Sequence, residues 1–124
     1  MYLLPQEVEV WYIIPKVRKE LANLLVNKYG WTYEKAGDML GISKAAISQY
    51  LSNKRANKIK VSKEVNKEIE KSAQTVAEGK SNGMQEILRI LTFMRSSKQS
   101  CEVCKKYNKD VLKYCNAAPV YFEQ

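Results

Sequence analysis

The sequence predicts an all-α protein, and three observations support this fold class. Pro, Gly and Ser divide the 124 residues into pieces of helix length. Within these pieces, apolar residues recur every three or four positions, as they do along one face of a helix. No convincing series of alternating strands is present. Residues 7–10 alternate as a strand would, but Pro5 suits the start of a helix, so a helix is favoured over residues 5–14.

The next three helices are predicted from their first and last residues. Residues 15–29 form the first, because Pro15 fits an initial helical position and Gly30 can close the helix in a left-handed conformation. Its apolar face contains Val17, Leu21, Leu24 and Leu25. Two short helices follow, over residues 33–40 and 44–52. A basic connector then covers residues 53–60.

Two longer helices are predicted in the second half of the chain. The first covers residues 63–78 and is bounded by Ser62 as the N-terminal cap and by Gly79. The second covers residues 84–96 and carries an apolar stripe made of Ile87, Leu88, Leu91 and Met94. The predicted organisation is therefore a domain over residues 1–60, linking and dimerisation helices over 61–98, and a C-terminal segment over 99–124 that holds every cysteine.

The charge of the chain favours a polyanionic partner. Twenty-one Lys and Arg residues against thirteen Asp and Glu residues give a net charge of +8 and a pI near 9.4. Such a surface attracts nucleic acid because each neutralised phosphate releases condensed counterions. A soluble, lysine-rich protein without such a partner is the alternative, because charge alone does not decide between them.

Composition also argues against several classes of protein. Histidine is absent, which removes the commonest general base and metal ligand, so an enzyme is not expected. No stretch reaches the roughly 18–20 apolar residues that a membrane span needs. The N-terminus lacks the basic start and apolar run of a signal peptide. We therefore expect a cytoplasmic protein with no membrane association.

Residues 32–51 carry the strongest functional pattern, which is that of a helix-turn-helix. Gly37 supplies the small residue needed where two helices cross closely, and Gly41 supplies the positive φ needed in the turn. Ser43 can cap the second helix through its hydroxyl group. Apolar residues occupy the positions where side chains must meet between the helices. A plain helical hairpin is the alternative, but it does not explain a short polar second helix followed by Asn53, Lys54 and Arg55.

The second helix of this motif is predicted to lie in the major groove of duplex DNA. Its outward positions, which we expect to contact base edges, are Lys44, Ala45, Ser48 and Gln49. A Gln can form a bidentate pair with adenine, a Lys can donate to guanine, and an Ala can touch a thymine methyl group. The residues predicted to contact phosphates are Thr32, Ser43, Asn53, Lys54 and Arg55. For each residue the alternative is a solvated surface side chain.

The sequence also resembles a known family. The residues that carry the resemblance are Leu4-Pro5-x-Glu7-Val8, Ile14-Pro15-x-Val17-Arg18-x-Glu20-Leu21-Ala22 and Gly41-Ile42-Ser43-x-Ala45-Ala46-Ile47-Ser48-Gln49-Tyr50-Leu51-Ser52-x-Lys54-Arg55. They look like the archaeal predicted transcriptional regulators of the XRE, or lambda-repressor-like, class. The resemblance covers residues 3–78 well and the C-terminal cysteines more loosely. It implies a sequence-specific regulator from an archaeon, which binds a two-fold operator as a homodimer.

The dimer that the resemblance implies needs an interface. The apolar stripe of residues 84–96 either closes the core or forms that interface, and the interface is favoured because such proteins read two half-sites about one DNA turn apart. Three aromatic residues, Trp11, Tyr12 and Trp31, are expected in the core or at a dimer contact, although stacking on bases is the alternative.

The cysteines form the second candidate site. Cys101 and Cys104 have the spacing that lets two sulfur atoms bind one metal ion or form a disulfide, and Cys115 follows. A structural zinc site needs four ligands, so Glu102, Asp110 or a second subunit would have to complete three thiolates. An iron–sulfur cluster is an alternative, as are a redox-active disulfide and inert cysteines.

Two other functions compete with sequence-specific regulation. A non-specific nucleic-acid or chromatin-associated protein would use the same basic surface, and it differs in having similar affinities for specific and random DNA. A helix-turn-helix can also serve as a protein-interaction adaptor, which would bind little DNA even at low salt.

Overall fold

A computed structural model describes residues 2–53, 56 and 59–108, except for the side chain of Cys101. Within these ranges the chain folds into seven α-helices and two π-helical turns, and no strand is present. The predicted all-α class is therefore confirmed. The helices are α1 (Pro5–Val8), α2 (Ile14–Asn23), α3 (Tyr33–Leu40), α4 (Lys44–Leu51), α5 (Lys63–Ala77), α6 (Gly83–Ser96) and α7 (Gln99–Tyr107).

The N-terminal helices form one continuous helical run through Pro15. π-Helical turns at Glu9–Ile13 and Leu24–Lys28 connect α1 to α2 and extend α2. The predicted helix over residues 5–14 is confirmed, and α2 begins one residue before the predicted start at Pro15, but no break separates it from the preceding π turn. In the preceding π turn the Ile14 N–H donates to the Glu9 carbonyl, five residues back, and this wider turn accommodates a residue that has no N–H.

The starts of four later helices follow directly from the local sequence. Each begins after a residue whose side-chain oxygen accepts a hydrogen bond from the backbone N–H three residues later, at 2.9–3.2 Å. These capping residues are Thr32, Ser43, Ser62 and Asn82. Such caps satisfy N–H groups that a helix leaves without an internal partner. The predicted bounds of α3 to α6 are confirmed to within a residue at each end.

The core forms around α2, which contacts α3, α4, α5 and α6. Its buried face presents Val17 and Leu21, and Leu25 continues this face in the π turn that follows. The partner helices contribute Ile47 from α4 and Ile69 from α5. Each later helix contacts α2 or contacts a helix that does. The helix-turn-helix therefore packs on the hydrophobic core through the faces of α3 and α4 that point towards α2.

The apolar stripe of α6 lies mostly in this core, contrary to the favoured prediction of an interface. Ile87, Leu91 and Met94 are buried, because α6 packs against α2, α3 and α5. Leu88 is 57% exposed, and its neighbour one turn earlier, Met84, is 73% exposed. The covered part of α6 closes the core, and a separate apolar edge remains at the surface.

The start of α6 approaches α3 more closely than a side chain would permit. Gly83 is buried, and a β-carbon built there would overlap the carbonyl oxygen of Met39 and lie 2.8 Å from its carbonyl carbon. The Gly83 N–H lies 3.2 Å from the Met39 sulfur atom. This close approach places α6 directly against the first helix of the helix-turn-helix.

A polar network joins α5 to α6 and was not predicted from the sequence. The Arg89 guanidinium donates to the Glu68 carboxylate at 2.6 Å, to the Ser72 hydroxyl at 2.7 Å and to the Glu86 carboxylate at 3.2 Å. Ser72 in turn donates to Glu86 at 2.8 Å. Ser72 and Glu86 are buried, so this network satisfies polar groups that would otherwise lie unpaired between two helices.

The last described helix packs back onto the first residues of the chain. The rings of Tyr12 and Tyr107 stack with centroids 4.4 Å apart and planes 7° from parallel. The Asn108 side-chain amide donates to the Leu3 carbonyl at 3.2 Å. The part of the cysteine segment that the structure describes is therefore packed on the helical domain.

Candidate nucleic-acid interface

The turn between α3 and α4 has the geometry that the sequence predicts. Gly41 adopts φ +72° and ψ +31°, in the left-handed region, and ends α3. The Ile42 N–H donates to the Gly37 carbonyl at 2.9 Å. A left-handed residue here turns the chain from α3 into α4 within three residues, and glycine does so without the steric cost that a β-carbon brings.

Gly37 fulfils the predicted need for a small residue at the crossing of the two helices. A β-carbon at this position would lie 2.6 Å from the Ile42 carbonyl oxygen. That oxygen belongs to the rigid turn, so the two backbones could separate only by opening the angle between α3 and α4. The requirement for glycine is therefore steric at residue 37 and conformational at residue 41.

Arg18 holds the end of α3 and was missed as a positioning residue. Its Nε donates to the Leu40 carbonyl oxygen at 3.0 Å, which ties α2 to the last turn of α3. A cation here also interacts favourably with the negative C-terminal end of the helix dipole. The two residues are 22 positions apart in sequence, so no local pattern could have indicated this contact.

One face of α4 is buried and the opposite face is exposed, as a DNA-reading helix requires. Ala46, Ile47 and Tyr50 are buried against the core. All four residues predicted to contact bases lie exposed on the other side of the helix, namely Lys44, Ala45, Ser48 and Gln49. The structure thus brings these four side chains together on one solvent-facing surface of a helix that is fixed by its opposite face.

Three of the five predicted phosphate-contacting residues fall within the described part of the chain. Thr32 and Ser43 are exposed at the N-termini of α3 and α4, where each also caps its helix. Asn53 is exposed just beyond α4, with φ +61°. Lys54 and Arg55 lie outside the described residues. The described three therefore border the exposed face of α4 at its two ends and at the start of α3.

One further cation lies beside this surface. The Lys35 ammonium group sits over the Trp31 ring, 4.1 Å from its centroid, at the start of α3. Such a contact holds a flexible lysine in place through the negative face of the ring. Trp31, which is expected in the core or at a dimer contact, is half-buried next to Thr32.

The cysteines are only partly described. The Cys104 side chain is 6% exposed and packs in the hydrophobic core cluster. Cys101 lies one turn earlier on α7, whereas Cys115 and Asp110 fall outside the described residues. Glu102 is exposed and pairs with Lys105 at 3.3 Å. Within the described ranges no three side chains form a group that could hold a metal ion.

Comparison with known protein families identifies the same segment as a helix-turn-helix. Residues 21–74 match the family model described as helix-turn-helix, which covers the motif together with the end of α2 and most of α5. The chain therefore has an all-α fold with a helix-turn-helix domain of the lambda-repressor-like kind, and the match supports DNA binding. No curated protein and no solved structure matches the chain.

No helix in the described ranges is both long and apolar enough to cross a membrane.

Proposed function

We propose that this protein is a sequence-specific, DNA-binding transcriptional regulator that acts as a dimer. The observation that carries the proposal is the division of α4, whose inner face is buried while Lys44, Ala45, Ser48 and Gln49 face solvent together. A helix fixed in this way can enter the major groove without losing its support.

Each element of the surface has a chemical role in this proposal. Gln49 would pair with adenine and Lys44 would donate to guanine, while Ala45 would contact a thymine methyl group. The N-termini of α3 and α4, with Thr32 and Ser43, would meet phosphates, because exposed helix N-termini favour anions. Asn53, Lys54 and Arg55 would add phosphate contacts that set the register without reading sequence.

The test compares specific and random DNA. A preferred duplex is first selected from a randomised library, and affinities for it and for a scrambled duplex are measured by fluorescence anisotropy at fixed salt. Gln49→Ala is expected to weaken binding to the selected duplex by about 10- to 100-fold, because a bidentate base contact contributes about 1–3 kcal/mol of discrimination. Binding to the scrambled duplex should barely change.

Lys54→Ala is the matched control. A phosphate contact carries no sequence information, so its loss should weaken binding to both duplexes equally and reduce the salt slope by about one. Equal losses on both duplexes for Gln49→Ala would instead indicate a non-specific nucleic-acid protein. Failure of the parent protein to bind either duplex at low salt would favour the interaction adaptor.

The same proposal includes a sensing role for the cysteine segment. Cys104 lies on α7 and is 6% exposed, so a metal ion, a cluster or a disulfide at its sulfur atom would be coupled to the packing of α7. Movement of α7 would disturb the stacked Tyr12 and Tyr107 rings. It would thereby shift the N-terminal helical run, on which the helix-turn-helix packs. A metal or redox change would in this way alter DNA binding.

Metal content and oxygen response test this role. Protein purified without oxygen is analysed for zinc, iron and acid-labile sulfide, and its affinity for the selected duplex is measured before and after exposure to air. We expect bound metal or an affinity change in the parent and neither in Cys104→Ala. A parent protein with no metal and no response would leave the DNA-reading proposal standing and remove the sensing one.

A further inference from the structure

An apolar edge of the molecule is formed by two neighbouring helical segments. Four of the seven large hydrophobic side chains exposed in the described ranges lie there, namely Val10, Trp11, Met84 and Leu88. A two-point ion pair between Glu9 and Arg95 holds the segments side by side, with Arg95 Nε 2.8 Å from Glu9 Oε2. The ion pair holds the end of α6 beside the turn that carries Val10 and Trp11, and Leu88 and Met84 lie about two and three helical turns further along α6.

A groove lies beside this edge. It has a volume of about 800 Å³ and runs between α2, α3 and α6. Ile14, Met39 and Leu91 line its floor, while Met84 and Leu88 stand at its side. The surface thus combines exposed apolar side chains, which we call the apolar ridge, with a recess whose lining is also largely apolar. Such a combination is what a two-fold interface requires, because the same patch must present both shapes to its copy.

The charged residues around the groove point to the same kind of partner. Arg18, Lys35, Glu34 and Asp38 all line it. None of the four forms an ion pair with another described residue. An even balance of signs does not favour a strongly charged ligand. A two-fold axis can instead place the acidic groups of one copy against the basic groups of the other.

We infer that this ridge and groove form the face on which a second copy of the chain docks. A standard interface buries about 800 Å² on each partner. That is roughly one tenth of the 7789 Å² surface of this chain, so the apolar ridge and the charged rim together need cover only a modest region. The inference names the surface for the dimer in the proposed function, and it rests on that proposal only for the use of two DNA half-sites.

This docking leaves the exposed face of α4 open, and of the residues proposed to contact DNA the groove lining includes Thr32, at the start of α3. α3 contacts both α4 and α6, whereas the groove is lined by the α6 side of α3. The exposed face of α4 is not part of the groove lining. Two copies joined at α6 would therefore each keep Lys44–Leu51 available for a half-site.

Sedimentation equilibrium of the full chain over a concentration series tests the inference. We expect the parent to reach twice the 14.3 kDa chain mass. Leu88→Glu should raise the dissociation constant at least about tenfold, because it places a carboxylate in the apolar ridge. Met84→Glu should do the same and is tolerated by the fold, since an acidic residue is favourable in the first turn of α6.

Asn66→Glu provides the control, because it makes the same change of charge at an exposed position of α5. It should leave the dissociation constant unchanged, and circular dichroism should show parental helix content in every variant. A parent that stays at the single-chain mass overturns the inference, as do Leu88 and Met84 variants that dimerise like the parent. A single-chain parent that still prefers its selected duplex would retain sequence-specific DNA binding but not the dimer. A dimer that binds no duplex would retain the docking face but not DNA binding.

Discussion

Gly83→Ala is expected to lower the free energy of unfolding by about 3 kcal/mol, at the upper end of what overpacking costs. The added methyl group would overlap the Met39 carbonyl, which belongs to the backbone of α3 and cannot rotate away. Alanine has a higher helix propensity than glycine by about 1 kcal/mol, so a loss would appear in spite of that gain. Urea unfolding followed by circular dichroism measures the effect.

Gly79→Ala separates this steric clash from the general cost of replacing a glycine. Gly79 has φ +75°, and a β-carbon there would meet nothing within 4 Å. The substitution should therefore cost about 1–2 kcal/mol, the penalty for a left-handed L-residue alone. If Gly83→Ala were neutral or stabilising, α6 would not approach α3 as closely as the structure shows.

Arg89→Met is expected to lower the free energy of unfolding by about 2 kcal/mol at neutral pH. Methionine keeps most of the aliphatic packing but removes the cation that hydrogen bonds to Glu68, Ser72 and Glu86. Buried Glu86 would then keep its negative charge with only hydroxyl partners. Lys71→Met is the matched control, because Lys71 also pairs with Glu68 at 3.2 Å but is largely exposed, and its loss should change stability by less than about 1 kcal/mol.

The same network determines how stability depends on acid. The Arg89 hydrogen bond lowers the pKa of Glu68 below its ordinary value of 4.5. Burial acts to raise the pKa of Glu86, but hydrogen bonds with Ser72, Ser81 and Arg89 outweigh it and the pKa is again lowered. Both groups bind protons more weakly in the folded state than in the unfolded state. Their stabilisation is therefore present above about pH 4.5 and lost as the pH falls through the folded-state values.

Unfolding measured between about pH 6 and pH 3 checks this dependence. The parent should lose stability steadily over the acidic half of that range, and Arg89→Met should lose less, because it has already lost the contacts that lower both pKa values. Parallel curves for the two proteins would show that other carboxylates govern the acid response.

The parts of the fold that the sequence predicted are those with local causes. Ser43 caps α4 through the N–H three residues later, and Gly41 turns the chain by its own backbone angles. The crossing at Gly37 involves a carbonyl only five residues away. Because these demands are met within one short segment, residue types and spacing were sufficient to locate the motif and its exposed face.

The parts that the sequence did not predict depend on which distant segments meet. Arg18 holds α3 across 22 residues, and Arg89 reaches Glu68 across 21. An apolar stripe shows that a helix has a face to bury but not what buries it, which is why Leu91 was assigned to an interface and lies in the core. Pro15 marks the start of α2 to within one residue, but periodicity does not reveal the π turn that joins α2 to α1 without a break.

The contacts between the two ends of the described chain have a consequence for the order of folding. Asn108 and Leu3 are 105 positions apart, so their pairing closes nearly the whole described chain into a loop. Closing a loop of that length has an entropic cost, which favours a late contact that forms after the contacts between residues close in sequence. Because the main contacts of α7 are with α1 and α6, its docking would form last and open first. The DNA-reading helices could then stay folded through each opening of the cysteine segment.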